Sequence, residues 1–174
     1  MQLRLATAAD EPAMRAIMDR AIGALLKPYL PPEAVSASFE IMGLDSQLIA
    51  DGTYFAVSED GVILGCGGWS RRATLFGGDH SAGRDAALLD PARDAARVRA
   101  MYTDPAHTRR GIGRMILDAC EDAARREGFT RVELAATLAG EPLYRACGYE
   151  VIERFSARTS AGVDVPLLRM GKRV

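Results

Sequence analysis

Apolar and polar positions recur at helical spacing in the stretch that follows residue 111. One face of this stretch is apolar and consists of Ile112, Met115, Ile116, Ala119, Cys120 and Ala123. The opposite face is charged and consists of Asp118, Glu121, Asp122, Arg125 and Arg126. Because residues three and four apart share one face of a helix, the pattern predicts an amphipathic helix, which Gly128 is well placed to end.

A short apolar run precedes this helix and predicts a strand. The run extends from Val98 to Tyr102, and Asp104 and Pro105 follow it. Proline has no N–H to donate to a sheet ladder and biases the preceding residue away from the helical region, so the strand should end there. The chain from residue 97 to residue 127 therefore reads as strand, loop and helix in succession.

The rest of the chain predicts six more strands and three more helices. The first half contains a strand at Gln2–Leu5, helices at about 7–26 and 33–42, and strands at 53–58 and 62–69 around a turn at 59–61. The second half contains a strand at 130–136, a short helix at 141–147, and a closing strand pair at 149–155 and 163–170. The order β-α-α-β-β-β-α-β-α-β-β predicts a single mixed α/β domain over residues 1–174, with a right-handed parallel crossover around the central helix.

Residues 71–95 interrupt this order between two predicted strands. They show no clear periodicity and are longer than a usual connection between paired strands. Loops of this length are often lids or binding loops, and we expect this insertion to be one. His80 within it is a candidate proton acceptor near neutral pH, with a surface loop histidine as the simpler interpretation.

Composition and charge narrow the classes of partner. The 174 residues are 48% hydrophobic and 26% charged, with a formal net charge of -1. This near-neutral balance predicts no nucleic-acid partner and no binding to an anionic membrane surface. No apolar run approaches the ~20 residues that span a bilayer, and the N-terminus has no signal-peptide pattern. We therefore expect a soluble protein with no membrane partner.

The cysteines give an expectation about metals and compartment. Cys66, Cys120 and Cys147 are odd in number and widely spaced, and none belongs to a Cys-x-x-Cys motif. Their spacing suggests neither a metal site nor a disulfide framework. A chain without disulfides is typical of a reducing compartment, so the expected location is cytoplasmic.

The loop between the central strand and helix has the features of an anion site. The start of a helix presents backbone N–H groups without intrahelical partners and a partial positive charge. Gly111 and Gly113 allow a ligand to approach this backbone closely, and Arg109, Arg110 and Arg114 add formal positive charge. Together these features predict a pocket for a diphosphate, although a short Gly-x-Gly alone would more often be a simple tight turn.

Two motifs in this half of the chain resemble those of the GCN5-related N-acetyltransferase (GNAT) family. The residues from Thr108 to Gly113 read Thr-Arg-Arg-Gly-Ile-Gly and match the pyrophosphate-loop pattern Gln/Arg-x-x-Gly-x-Gly/Ala, with a departure at Thr108. The residues from Leu143 to Tyr149 resemble the later motif of the family, an aromatic helix that ends in Gly-Phe. The match covers residues 97–153 well, and the first half of the chain matches only in element order.

The resemblance implies a fold, a cofactor and an activity. It implies a mixed sheet of about seven strands flanked by about four helices, with acetyl-CoA held where the two central strands splay apart. The implied activity is direct transfer of an acetyl group from acetyl-CoA to a primary amine of a small molecule or peptide. A homodimer is common in the family, and no metal takes part.

The resemblance also assigns roles to named residues. The loop residues implied to hold the cofactor are Thr108, Arg109, Arg110, Gly111, Ile112, Gly113 and Arg114. The backbone of Met101 and Thr103 would pair with the pantetheine arm like an extra strand. Tyr144 matches the tyrosine that the family often places near the sulfur, where it can act as a general acid toward the thiolate.

Several alternatives stay open at this point. Glu133, His80 and Glu40 are each conceivable general bases, and none stands out, so no base is assigned. Trp69 either lines the acceptor cleft or packs in the core. The chain is alternatively a non-catalytic acyl-CoA-binding regulatory module, or a dinucleotide-binding protein, although Ile116 stands where the latter has its third glycine.

Overall fold

The computed structural model describes residues 1–174 and contains one seven-stranded sheet. The strands are β1 Gln2–Leu5, β2 Tyr54–Glu59, β3 Val62–Ser70, β4 Ala96–Thr103, β5 Arg131–Thr137, β6 Glu150–Arg158 and β7 Asp164–Arg173. Their order across the sheet is β1-β2-β3-β4-β5-β7-β6, and only β4 and β5 pair in parallel. The mixed α/β architecture predicted from the sequence is therefore confirmed.

Five α-helices accompany the sheet. They are α1 Glu11–Leu25, α2 Pro32–Ile41, α3 Ser46–Ala50, α4 Ile112–Arg126 and α5 Glu141–Ala146. Four match the predicted helices, with ends that differ by a few residues. The single-turn helix α3 was not predicted, because five residues carry no periodic stripe and its signal is one local cap, in which Asp45 accepts from the backbone N–H of Gln47 at 3.1 Å. No helix combines the length and apolar character needed to cross a membrane.

The sheet separates the two largest apolar cores. Consecutive residues of a strand point to opposite faces, and Ala56 belongs to the core beneath α1 whereas Val57 belongs to the core beneath α4. Trp69 lies in the second core, where its ring meets Phe129 edge-on at a centroid distance of 6.1 Å. The packing interpretation of this tryptophan is therefore correct, and it lines neither cavity described below.

Helix α4 packs its apolar stripe on β3 and β4 as the spacing predicts, with one correction. Glu121 was assigned to the charged outer face, but it is buried and its Oε2 accepts from Lys172 Nζ at 2.7 Å. On the exposed face of α4, Arg125 pairs with Asp122. The assignment was wrong because β7 continues to Arg173 and its Lys172 supplies a partner that helical spacing alone cannot show.

The insertion at residues 71–95 folds back on itself beside the sheet. Its two ends pair through backbone hydrogen bonds, among them Ala73 N–H to the Ala87 carbonyl at 2.9 Å. Side chains then fasten it to the rest of the fold: Arg72 donates to Asp51 at 2.8 and 2.9 Å, and Arg71 binds Glu127. His80 contributes a further contact, with Nε2 2.7 Å from the Phe39 carbonyl at the end of α2.

The two parallel strands separate after two residue pairs. Ala96 pairs with Val132 and Arg97 with Glu133, and the ladder then stops although β4 runs to Thr103 and β5 to Thr137. At the last pair, the Glu133 carboxylate accepts from Arg97 Nη1 at 3.0 Å and from Arg169 Nε at 2.8 Å. This pairing joins β4, β5 and β7 at the point where the splay begins.

A bulge in β4 accompanies the splay. The register between β3 and β4 shifts between Cys66 and Gly68, and Ala100 adopts a left-handed φ of 49°, which is uncommon for a residue with a side chain. The Ala100 carbonyl accepts a hydrogen bond from the buried Tyr54 hydroxyl at 3.1 Å. Tyr54 therefore satisfies a carbonyl that the bulge removes from regular sheet pairing.

We predict that Tyr54→Phe destabilises the fold by about 1–3 kcal/mol, because it leaves the Ala100 carbonyl without its partner. Urea unfolding followed by far-UV circular dichroism measures the change. Tyr29→Phe is the matched control, since Tyr29 is 49% exposed and should change the free energy of unfolding by less than about 0.5 kcal/mol. Equal effects of the two substitutions would contradict the role given to Tyr54.

Candidate active site

Two cavities meet in the gap between β4 and β5. The larger is an open cleft of about 720 Å³ between the end of α1, the end of β4, the loop before α4, and α5. The smaller, of about 110 Å³, lies toward α2, β7 and the insertion. Six residues line both cavities, namely Met42, Met101, Tyr102, Thr137, Gly140 and Tyr144. The junction of the two cavities is therefore the place where two ligands bound separately would meet.

The loop before α4 forms one end of the larger cleft. Arg109 and Gly111 both adopt left-handed backbone conformations, with φ of 64° and 83°. Open space surrounds the α-carbon of Gly111, because no atom lies within 4 Å of the position a Cβ would occupy. The first intrahelical acceptor is the Gly111 carbonyl, which Met115 N–H reaches at 3.0 Å, so the N–H groups of the first turn have no partner inside the helix. These donors and the helix dipole suit an anion.

The two glycines of the loop, Gly111 and Gly113, have different structural roles. A Cβ on Gly113 would lie 2.7 Å from Leu143 Cδ2, so Gly113 allows α5 to pack against the start of α4. The side chain of Ile112 is buried in the core beneath α4, which leaves only its backbone for a ligand. Gly113 and Ile112 thus fix the loop between core and cleft, while Gly111 provides the open approach.

The arginines of the loop do not all face the cleft. Arg109 and Arg114 line it, as do Thr108, Met101 and Thr103. Arg110 is not among the lining residues, because one of its guanidinium nitrogens donates to both carboxylate oxygens of Glu59 at 2.9 Å. The structure therefore brings together every residue of the predicted cofactor set except the Arg110 side chain.

Tyr144 occupies the junction of the two cavities. Its ring packs against Tyr149 at a centroid distance of 5.8 Å, and a Cβ on Gly140 would lie 3.0 Å from its Cε2. The residue is largely buried, and no protein group hydrogen-bonds to its hydroxyl. Burial raises the pKa of the Tyr144 hydroxyl above its ordinary value, so the group keeps its proton at neutral pH.

None of the three conceivable bases lines either cavity. Glu133 is held by Arg97 and Arg169 at the start of the splay. Glu40 accepts from the backbone N–H and the hydroxyl of Ser160 at 2.9 and 3.0 Å. His80 fastens the insertion to α2. All three have structural partners, and no other carboxylate lines the two cavities.

Sequence reasoning missed a buried charge network behind the smaller cavity. Arg99 is 3% exposed, and its guanidinium pairs with Asp45 at 3.0 Å and donates to the Gly77 carbonyl at 2.6 Å. Asp45 also accepts from Arg84 Nη2 at 2.7 Å. Burial lowers the pKa of Arg99, and the adjacent Asp45 carboxylate opposes that shift. The available signal was Arg99 within the otherwise apolar run from Val98 to Tyr102, which implies a buried partner.

The cleft ends at a helix start with free backbone N–H groups and runs along a separated pair of parallel strands, a geometry suited to an extended, phosphate-bearing ligand. The chain belongs to the acetyltransferase (GNAT) family, whose family model matches residues 19–149. It is therefore an N-acetyltransferase, an enzyme that transfers an acyl group. A comparison with curated proteins finds no significant sequence match.

Solved structures share the fold over nearly the whole chain. A GCN5-related N-acetyltransferase from Rhodopseudomonas palustris has a TM-score of 0.72 at 19% identity and covers 99% of this chain and 95% of its own. A ribosomal-protein-alanine N-acetyltransferase from Brucella melitensis has a TM-score of 0.66 at 19% identity, with 100% of both chains covered. The structure of yncA from Salmonella typhimurium with its cofactor acetyl-CoA has a TM-score of 0.63 at 19% identity, covering 99% of this chain and 93% of that one.

We predict that Asp45→Asn lowers the free energy of unfolding by about 3–5 kcal/mol, because it leaves two arginines around Asp45 without a counter-charge, one of them buried. Asp122→Asn is the matched control. It breaks the exposed pair with Arg125 and should cost less than about 1 kcal/mol. Denaturant unfolding measures both changes, and a small effect at position 45 would show that the network is not a structural requirement.

Proposed function

We propose that this protein transfers an acetyl group from acetyl-CoA directly to a primary amine. The observation that carries the proposal is that the larger cleft and the smaller cavity meet at Tyr144. The larger cleft contains a free strand edge and the loop at residues 108–114, which we call the diphosphate cradle. A bound thioester would extend along the cleft from the cradle to the junction, and the amine would enter the junction from the smaller cavity.

The residues of the cleft fit acetyl-CoA. The backbone N–H groups that open α4 would bind the diphosphate, with the cationic side chains of Arg109 and Arg114 beside them. The β4 edge at Met101 and Thr103 has no strand pairing on the β5 side, so an extended chain with amide groups can pair with it as an added strand. Acetyl-CoA would supply the thioester whose acetyl carbon is transferred.

Tyr144 is the residue proposed to act on the leaving group. In direct transfer the C–N bond forms, the C–S bond breaks, and the thiolate takes up a proton. The Tyr144 hydroxyl holds a proton at the junction, since burial raises its pKa. It can donate that hydrogen bond or proton to sulfur as negative charge develops there.

Direct transfer is favoured over a covalent acyl-enzyme. All three cysteines are buried, and burial raises the pKa of Cys66 to about 12. A buried, protonated thiol is a poor nucleophile. Because no carboxylate lines the junction, the amine would arrive neutral or lose its proton to water in the open cleft.

The proposed setting of the protein is the cytoplasm. Three free cysteines are typical of a reducing compartment. We also propose that the protein forms a homodimer, as is common in this family. The molar mass in solution tests this.

We predict that Gly111→Glu weakens CoA binding about 100-fold, equivalent to about 2.7 kcal/mol, because the side chain would occupy the open approach and place a negative charge beside the diphosphate. Gly52→Glu is the matched control: Gly52 has a φ of 67°, has open space within 4 Å of the position its Cβ would take, and lies outside the cleft. Calorimetric titration with CoA measures both. Unchanged affinity at position 111 would remove the cradle assignment.

We predict that Tyr144→Phe lowers kcat about 100-fold or more while CoA affinity changes less than about threefold. Thiol release from acetyl-CoA measures the rate. Tyr149→Phe is the control, because this neighbouring tyrosine is also buried but its hydroxyl is close to Glu121 and it lines neither cavity. A Tyr144→Phe enzyme with wild-type turnover would exclude the proton-donor role.

The pH dependence of kcat gives a separate check on Tyr144. A raised pKa means that the protonated, competent form persists to higher pH, so Tyr144 should cause no loss of rate between about pH 7 and pH 10. An alkaline limb within that range that is present in the wild type and absent from Tyr144→Phe would contradict this assignment.

A further inference from the structure

Twelve of the 17 residues that line the smaller cavity are hydrophobic, and polar atoms share its surface with them. Its hydrophobic side chains come from the end of α2, the insertion, β4, β5 and β7, and include Ile41, Leu75, Phe76, Met101, Leu134 and Leu167. Phe76 is fixed by a tilted contact with Phe155 at a centroid distance of 5.9 Å. Three insertion residues, Leu75, Phe76 and Gly77, thus form part of the wall rather than an unattached flap.

The lining of this cavity carries positive charge and no negative charge. The only charged residue among those that line it is Arg99. The carboxylate that faces Arg99 is Asp45, which is shared with Arg84, so two guanidinium groups surround one carboxylate. A second ammonium group brought into the cavity would find no carboxylate in the wall and would lie near an excess positive charge.

The volume of the cavity limits what enters it. Ligand sites for drug-sized molecules usually measure ~300–1,000 Å³, whereas this cavity is about 110 Å³. It therefore has room for one short aliphatic group. An acceptor whose amine reaches Tyr144 must therefore place a short aliphatic group against Phe76 and its neighbours. That group must not carry a second positive charge.

We infer that the acceptor is a small primary amine with an apolar substituent and no second positive charge. This inference rests on the proposed amine transfer and narrows it to a substrate class. Diamines, polyamines and other polycationic amines are disfavoured, because their second ammonium group would enter a cavity that is lined by Arg99 and by no carboxylate.

The test compares two amines of equal length, n-pentylamine and 1,4-diaminobutane, which differ by a terminal methyl group in place of an ammonium. The wild-type enzyme with saturating acetyl-CoA should show a kcat/KM for thiol release at least about tenfold higher with n-pentylamine. Binding of CoA is measured on the same sample by calorimetry.

Phe76→Asp should invert this preference, because it places a carboxylate in the wall. Leu88→Asp is the matched control, since Leu88 belongs to the same insertion, is 68% exposed and does not line the cavity. The ratio of kcat/KM for n-pentylamine to kcat/KM for 1,4-diaminobutane should be the same in Leu88→Asp as in the wild type. If Phe76→Asp does not fold, Phe76→Ala replaces it and should raise kcat/KM for n-heptylamine relative to n-pentylamine while 1,4-diaminobutane stays a poor acceptor.

The outcomes separate this inference from the proposed function. Equal or better turnover of 1,4-diaminobutane by the wild type, or turnover of polycationic amines alone, would overturn the substrate class and leave the transferase intact. An unchanged ratio in Phe76→Asp, or an unchanged chain-length preference in Phe76→Ala, would remove Phe76 and its cavity as the determinant and overturn the inference. No thiol release with any amine, despite CoA binding, would overturn the proposed amine transfer and the inference with it.

Discussion

The separation of β4 from β5 is the constraint on which the rest of the site depends. Two strands that remained paired beyond Arg97 and Glu133 would close the gap that both cavities share. Three features act together at this point: the Glu133 carboxylate holds Arg97 and Arg169, the β4 backbone bulges at Ala100, and Tyr54 satisfies the Ala100 carbonyl. The ion pairs of Glu133 join the strands where they are still paired. The bulge at Ala100 and its hydrogen bond from Tyr54 support β4 where the strands separate.

The separation also places different chemistry at the two ends of the gap. At one end the helix start, Arg109 and Arg114 create a positive, open surface suited to phosphate. At the other end most of the lining residues are hydrophobic, and the network of Arg99, Asp45 and Arg84 lies beside them. Tyr144 lies between them with a protonated hydroxyl, which places the proposed proton donor where the two cavities meet.

Local patterns in the sequence were sufficient to predict all seven strands, four of the five helices, and the loop before α4. They were sufficient because helical spacing, a proline after a strand and a glycine at a helix start are signals within a few residues. Predictions that depended on partners far along the chain were less successful. Glu121 was placed on the outer face because Lys172 is 51 residues away, and nothing near Arg110 indicated its pairing with Glu59.

The acceptor side was the least predictable part of the molecule for the same reason. Its walls come from α2, the insertion, β4, β5 and β7, and no segment by itself carries a motif. Asp45 and Arg99 are brought together by the sheet and the helices around it, and the sequence showed only an arginine in an apolar strand. The insertion, which has no periodicity, is ordered by contacts with Asp51, Glu127 and the end of α2.

The most direct test of the account is amide hydrogen exchange with and without acetyl-CoA. If the cofactor binds the helix start and pairs with the free strand edge, exchange should slow at residues 111–114 and in the stretch Met101–Thr103, with little change at the edge strands β1 and β6. Binding that protected neither of these two segments, or protection confined to another surface, would contradict the central claim.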